Sequence, residues 1–420
     1  MNNDIEYEEI SPYVFVTKLA GFEHSEYIQP NATKIPMNTK DIPMVQGKNI
    51  RGGEFVEKYD WYIKKEISDR LPRSILNKRC ILIPYVGSNL GEVGIFPNKY
   101  VCHLASNIAK VELNSDKYLL EYMKYYMQSP IGQSYLFQAK QGSSQPNITM
   151  ESIRKTKIIK KTINEQIKIV SILSSIDAQI KRNNDMVQKL QVLTQSIYSY
   201  WFNQFEFPNE EGKSYKSSGG EMIWNEELKR EIPKDWSINT VKNYCNITWG
   251  QCPDGINILP LSYNDENTFL YCSGAGDMRN GIVVDCQAKT NASKRLAHKN
   301  DILMSIAGSI GALCICDKTI SLGRAAVAFT QKENQSLLTY QLINVFATRM
   351  KSVSSGSIQK VINDNHLNDI KFAFSKEIFE LYTSKFNSIL EVIINFEHKN
   401  KELVHLKEKM LPLLINGQLI

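Results

Sequence analysis

Apolar residues fall along this chain in three recurring patterns. Short runs such as Cys80-Ile81-Leu82-Ile83-Pro84 and Ser106-Asn107-Ile108-Ala109-Lys110-Val111 predict short strands. Tyr118 to Met127 carries an apolar face and predicts an amphipathic helix, which Ser129-Pro130 ends. From about Asn164 the apolar positions are Ile169, Leu173, Ile176, Ile180, Val187, Leu190, Ile197 and Trp201, with polar Asn183 and Thr194 filling two gaps. Steps of four and three sustained over about four heptads predict a coiled-coil seam. A second such helix is predicted from about Lys376 to Leu414. Its seam is Tyr382, Phe386, Ile389, Ile393, Phe396, Leu403, Leu406 and Met410, with Asn400 as its polar member. At 1.5 Å per residue, each helix of about 40 residues is roughly 60 Å long. A seam asparagine costs some stability but fixes register and partner. Two seams of similar length predict that the helices pair, antiparallel if the two halves of the chain face opposite ways.

The pattern is stated twice. Gly142-Ser143-Ser144-Gln145 precedes the first long helix, and Gly356-Ser357-Ile358-Gln359 precedes the second, about 214 residues later. Leu82-Ile83-Pro84-Tyr85-Val86-Gly87-Ser88 is echoed by Leu303-Met304-Ser305-Ile306-Ala307-Gly308-Ser309, and the turn Gly47–Gly53 by Gly276–Gly281. Solenoid repeats have periods of about 20–50 residues, so this is a duplicated domain with its helix. The predicted fold class is α+β. Residues 1–160 form a first mixed α/β domain and 161–203 a central helix. Residues 204–235, rich in glycine and serine near Gly212–Gly220, form a linker. Residues 236–374 form a second mixed domain, and 375–420 a C-terminal helix.

Composition narrows the class. An apolar content of 42% and a charged content of 22% are ordinary for a soluble globular protein. No apolar run approaches the roughly 20 residues of a membrane helix, and the acidic N-terminus lacks a signal peptide's apolar core. The eight cysteines are scattered without a CxxC pair, and Cys314-x-Cys316 reads as buried thiols. A reduced, cytoplasmic setting without membrane association is expected. The six histidines show no metal spacing, and His398 and His405 read as helix-surface residues. There is no GxxxxGK[ST] loop, no GxGxxG after a strand and no Pro-Pro dipeptide. Pro253-Asp254 is not followed by the Glu-x-Lys or Asp-x-Lys of a nuclease. No catalytic residue, metal or cofactor is therefore expected in this chain.

The net charge of +6 matters through its distribution. Arg154, Lys155, Lys157, Lys160 and Lys161 crowd the start of the first long helix, where a basic cluster can track phosphates. Lys48, Asn49 and Arg51 lie in a glycine-rich loop, and Arg279 and Asn280 hold the matching place in the second half. Arginine suits guanine and asparagine suits adenine in the major groove. Ser88-Asn89 and Ser309 sit at a second shared turn. Gln141, Ser143, Ser144 and Gln145 form a third, with Ser354, Ser355, Ser357 and Gln359 as counterparts. The plainer alternative is that these loops simply need glycine and polar side chains to turn.

These features together resemble a known family. Ile163-Asn164-Glu165-Gln166-Ile167 opens the central helix, Ser174-Ser175-Ile176-Asp177 lies within it, and Trp201-Phe202 to Pro208 closes it. Ser218-Gly219-Gly220-Glu221-Met222-Ile223-Trp224, Ile232-Pro233-x-x-Trp236, the early Lys18–Glu23 and the ending Leu411-Pro412-Leu413-Leu414-x-Asn416-Gly417-Gln418 belong to the same set. The chain resembles the specificity subunit of type I restriction-modification enzymes over nearly its whole length. The resemblance implies two target recognition domains in inverted, pseudo-symmetric arrangement, joined by an antiparallel pair of long helices. It implies double-stranded DNA as ligand, each domain reading one half of a bipartite, asymmetric target. It also implies two modification (adenine methyltransferase) subunits and, in the full complex, restriction/translocase subunits. S-adenosylmethionine, ATP and Mg2+ would belong to those partners. One departure stands out: the first half lacks the Ile-Pro-x-x-Trp opening. Either its first strand pairs differently, or the two domains come from different subgroups. The competing function is a coiled-coil adaptor with two protein-binding domains and no DNA role.

Overall fold

A computed structural model describes residues 6–137, 148–278, 281–331, 335–354, 362–363, 367 and 370–419. The chain divides into two units. One is built from residues 1–179 with 403–420, the other from 180–402.

The first unit contains strands β1 (Tyr7–Glu9), β2 (Val14–Lys18), β3 (Ile42–Val45), β4 (Ile50–Arg51), β5 (Glu54–Phe55) and β6 (Tyr62–Ile63). These are followed by β7 (Ile75–Leu76), β8 (Cys80–Pro84), β9 (Gly94–Phe96), β10 (Cys102–Leu104), β11 (Ile108–Leu113) and β12 (Lys157–Ile159). One antiparallel sheet runs β2-β11-β8-β9, and a second runs β6-β3-β10-β7 with β3 and β10 parallel. The continuous apolar run of β8 has a simple cause. Ile81 and Ile83 face one core, shared with Tyr122 and Tyr126 of the helix Leu120–Gln128. Cys80 and Leu82 face another core, with Leu76, Phe96 and Leu104. Successive side chains of a strand point to opposite faces, so a strand between two cores must be apolar throughout.

The second unit repeats this plan. Its strands are β13 (Met222–Asn225), β14 (Arg230–Pro233), β15 (Ser237–Thr240), β16 (Cys245–Trp249), β17 (Ile258–Pro260), β18 (Phe269–Cys272) and β19 (Ala288–Thr290). Then come β20 (Leu296–Ala297), β21 (Ile302–Ser305), β22 (Leu313–Ile315), β23 (Ile320–Leu322), β24 (Ala326–Gln331) and β25 (Lys371–Phe374). The order β16-β24-β21-β22 repeats β2-β11-β8-β9, and β18 pairs parallel with β23 as β3 does with β10. Strand β21 divides its faces as β8 does: Ile302 and Met304 enter one core, Leu303 the other. The opening strands also correspond, because β1 pairs antiparallel with β12 and β15 with β25. The expectation of a different first pairing is therefore corrected. The Ile-Pro-x-x-Trp motif serves something else. Ile232 and Pro233 end the β13–β14 hairpin, and Trp236 stacks on Phe207 at 5.1 Å between ring centres and meets Phe205 edge-on at 5.4 Å.

Those contacts also revise the linker. Phe205 and Phe207 are buried, Tyr215 stacks on Phe207, and the hairpin follows, so much of 204–235 is a packed arm. Aromatic burial outweighs the local glycine and serine content.

The central helix spans Ile163–Tyr198 and the C-terminal helix Lys376–Ile415. Thr162 caps the first: its hydroxyl accepts from the Glu165 N–H, while Glu165 accepts from the Thr162 N–H. Within the second unit the helices run antiparallel, since Asn183 meets Asn400 and Trp201 meets Tyr382. Here Val187 and Ile393 are buried, while Ile180, Leu190, Phe386, Ile389 and Phe396 are partly buried. Asn183 Nδ2 donates to Asn400 Oδ1 at 2.8 Å, and Asn400 Nδ2 donates to Asn184 Oδ1 at 2.7 Å. In the first unit Ile169, Leu173 and Ile176 are buried, and the first two join Leu411, Leu414 and Ile415 in one core. The seam reading needs one correction. Leu406 is 45% exposed, and Lys407 faces inward to Asp177 at 2.6 Å. From Asn400 and partly buried Leu403, the four-and-three spacing continues to Lys407 and Met410, which turns Leu406 outward.

Candidate nucleic-acid interface

In the first unit, four loops converge where β2, β3, β8 and β10 end. The Ala105 N–H donates to Val45 O and the Tyr85 N–H to Asn107 O, which joins the loop after β10 to those after β3 and β8. The Tyr85 hydroxyl donates to the Ser106 carbonyl, and Lys18 Nζ sits 4.8 Å from the Tyr85 ring centre. The Gly47 N–H donates to Asn107 Oδ1 at 3.0 Å, and a Cβ at Gly47 would press on Asn107 and Pro84 at 3.2 Å. The loops enclose an open cleft of about 270 Å³ lined by Gln46, Gly47, Lys48, Val86, Gly87, Ser88, Asn89 and Asn107. The hairpin β4–β5 turns through Gly52 and Gly53 at φ +59° and +74° and carries exposed Arg51.

The second unit builds the same junction with other side chains. The Gly323 N–H donates to Cys272 O and the Ile306 N–H to Ala325 O, bond for bond as in the first unit. Ala325 thus stands where Asn107 stands, and Arg324 where Ser106 stands. Gly274 approaches Ala325 as Gly47 approaches Asn107. The Gln251 N–H donates to Leu322 O, bringing the chain after β16 alongside. Arg324, Gln251 and Ser309 are exposed here, with Arg295 and Lys294 at the rim.

Sequence-predicted residues divide sharply. Lys48, Ser88 and Asn89 do line one cleft, but Lys48 is ion-paired with Asp60. Asn89 Nδ2 donates to Ile50 O at 2.6 Å, and Ser88 Oγ donates to Asn89 Oδ1. Asn49 is corrected as a base reader. It is 1% exposed, and its amide accepts from Gln46 N and donates to Val56 O and Lys58 O. Its counterpart is Asp277, which accepts from Ser273 N at 2.7 Å, so both residues pin a turn. The turn beginning at Gly47 accordingly corresponds to Gly274, two residues before the sequence echo.

The basic cluster is also revised. Lys155 pairs with Glu151, Lys160 with Glu6, and Lys161 with Glu165. Hydrogen bonds to those acids hold the Lys155 and Lys160 ammoniums charged above the ordinary lysine range. Arg154 is exposed but donates to Val16 O at 2.9 Å, and Lys157 is exposed on β12. His398 and His405 lie at the helix surface as expected, His398 with a side chain 41% exposed and Nε2 2.9 Å from Asp317. Gln141, Ser143, Ser144, Gln145, Arg279, Asn280, Ser355, Ser357 and Gln359 lie outside the described residues.

Sequence reading missed Gln46, Asn107, Gln251 and Arg324. Comparing Leu104-Ala105-Ser106-Asn107 with Leu322-Gly323-Arg324-Ala325 would have exposed the loops of Asn107 and Arg324, because each follows the parallel-paired strand.

Among the described residues no group of three His, Cys, Asp or Glu is placed to hold a metal ion, and no helix is long and apolar enough to cross a membrane. Exposed amides, hydroxyls and guanidinium groups on convergent loops suit hydrogen bonding to base edges and phosphates. A mixed α/β scaffold built twice, with such loops and two long helices, has the build of a two-domain DNA-specificity protein. Residues 31–192 and 233–378 match the family described as the type I restriction modification DNA specificity domain, and the chain belongs to that family. The type I restriction enzyme MjaIX specificity subunit of Methanocaldococcus jannaschii is 24% identical over 216 residues, spanning 50% of this chain and 46% of that one. The match thus spans about half the length of that relative. The HindI specificity subunit of Haemophilus influenzae is 20% identical over 335 residues, covering 65% of this chain and 71% of that one. The crystal structure of a type I restriction-modification system S subunit from M. genitalium shares the fold. Its TM-score is 0.54 at 14% identity, over 99% of this chain and 97% of that one.

Proposed function

We propose that this chain is the non-catalytic DNA-reading subunit of a type I restriction-modification complex. Each unit reads one half of a split, asymmetric target, and the long helices set the spacer and dock two modification subunits. S-adenosylmethionine belongs to those subunits, and ATP and Mg2+ to the restriction subunits of the full assembly. One observation carries this reading: a single loop junction is built twice with different exposed side chains. Exposed Lys48 and Ser106 with half-buried Gln46 and Asn107 stand there in the first unit, and exposed Ser273 and Arg324 with half-buried Ala325 in the second. Two different readers on one chain select a non-palindromic site, whereas symmetric dimers of one reader select palindromes. Family membership supports this reading over the adaptor.

Selection of tight binders from random duplex DNA tests it. The expected product is two unlike half-sites at fixed separation, with affinity that falls as salt rises. A palindromic or continuous site, or salt-independent binding, contradicts the proposal.

A further inference from the structure

The junction in the second unit has a feature that the first lacks. Arg324 is exposed on the three-residue loop between β23 and β24, and forms no hydrogen bond or ion pair among the described residues. Its platform is tight. A Cβ at Gly250 would come within 2.1 Å of Gly323 O, and one at Gly323 within 2.6 Å of Tyr271 Oη and 2.9 Å of Cys272 O. Three backbones therefore meet here with no room for side chains between them. Hydrogen bonds fix them on both flanks: Gly250 N to Ala326 O at 3.0 Å, Gly323 N to Cys272 O at 2.8 Å and Ile306 N to Ala325 O at 2.9 Å. A long side chain on so constrained a loop loses little backbone freedom on binding.

We infer that Arg324 reads a guanine in the half-site served by the second unit. This rests on the DNA-reading function proposed above. The guanidinium is a fixed fork of donors that matches the O6 and N7 acceptors of guanine in the major groove. The neighbourhood fits a base reader better than a phosphate anchor. Exposed Arg295 lies beside Leu322, one strand away, with Lys294 preceding it, so phosphate-binding cations already stand at the rim. Gln251, whose N–H donates to the carbonyl of the same leucine, adds an uncharged donor–acceptor pair to the surface. The first unit carries Ser106 in the place of Arg324, so the two half-sites differ at this contact.

Binding selection followed by sequencing, on the full chain with R324K and R324Q, tests the assignment. The wild type first defines its own two half-sites; a wild type without sequence preference removes the function and this inference together. With half-sites defined, both variants lose discrimination at one guanine position of one half-site. A bidentate pair supplies about 5- to 140-fold preference over the wrong base. The other half-site keeps its sequence. R324K retains the charge but not the planar fork, so it keeps the affinity for unselected DNA while binding to the cognate half-site falls by that factor. Thermal melting identifies a misfolded Gln variant, and the Lys variant then decides. An unchanged site, or uniformly weaker binding with every base preference intact, overturns the inference and makes Arg324 a bystander or a phosphate contact.

Discussion

Single residues here do opposite work to what their type suggests. Asn49 looks like an adenine reader and is instead a three-way brace inside the first unit. Asn49→Ala removes three hydrogen bonds, leaving the Gln46 N–H and the Lys58 carbonyl without this partner and the Val56 carbonyl with the Lys58 N–H alone, and we expect a loss of about 1–3 kcal/mol in denaturant unfolding. A variant as stable as wild type contradicts the brace. Glu8 shows the electrostatic version. Burial pushes its carboxyl up, but hydrogen bonds from Lys117, Tyr118 and Tyr13 outweigh this and hold it at about 2. A folded-state value below the unfolded one adds stability above the ordinary glutamate range, near about 4.3, and that stability is lost as pH falls towards 2. Melting temperature followed against pH should therefore drop through this window, and Glu8→Gln should flatten the drop. An identical acid profile for the variant contradicts the assignment.

At the level of elements, the long helices were the most legible part of the sequence. Their seams depend on a local period, and only Leu406 was misplaced. The polar seam members were also legible, though not that Asn183 and Asn400 would meet each other. Replacing Asn183 alone with leucine removes the donor to Asn400 Oδ1, while Asn400 Nδ2 keeps Asn184, and should cost about 1–3 kcal/mol. Adding Asn400→Leu should recover much of that loss, because two apolar residues replace a satisfied pair. A double-mutant cycle by thermal unfolding measures this, and strictly additive losses would count against the pairing. Asp177 is the stronger anchor in the first unit. It meets Lys407 at 2.6 Å, Lys124 at 3.5 Å and the Tyr125 hydroxyl at 2.8 Å. Burial raises its carboxyl, but the two lysines bring it below the usual aspartate range. Asp177→Ala leaves two inward-facing lysines without this partner, and a loss of about 3–5 kcal/mol in unfolding free energy is expected. The loops were far less legible. Asn49 is buried by carbonyls seven and nine residues onward, and Arg324 is positioned by glycines and strands distant in sequence. No local period encodes such contacts.

For the whole molecule, duplication was legible as an echo of motifs, and its meaning lies in topology: one pair of sheets built twice, with unlike side chains at one loop junction. Both long helices contribute residues to both units. If they set the spacer, adding four residues to each lengthens them by about 6 Å, close to two base-pair steps. The preferred site should then carry a spacer one to two base pairs longer with both half-sites unchanged; an unchanged spacer contradicts the ruler. The central claim is that this chain chooses where its complex acts on DNA. Single-molecule sequencing of host DNA before and after removing the chain tests it directly. A split adenine-methylation motif, with two unlike halves and a fixed spacer, should be present before and absent after. A methylation pattern that is the same in both cells contradicts the account.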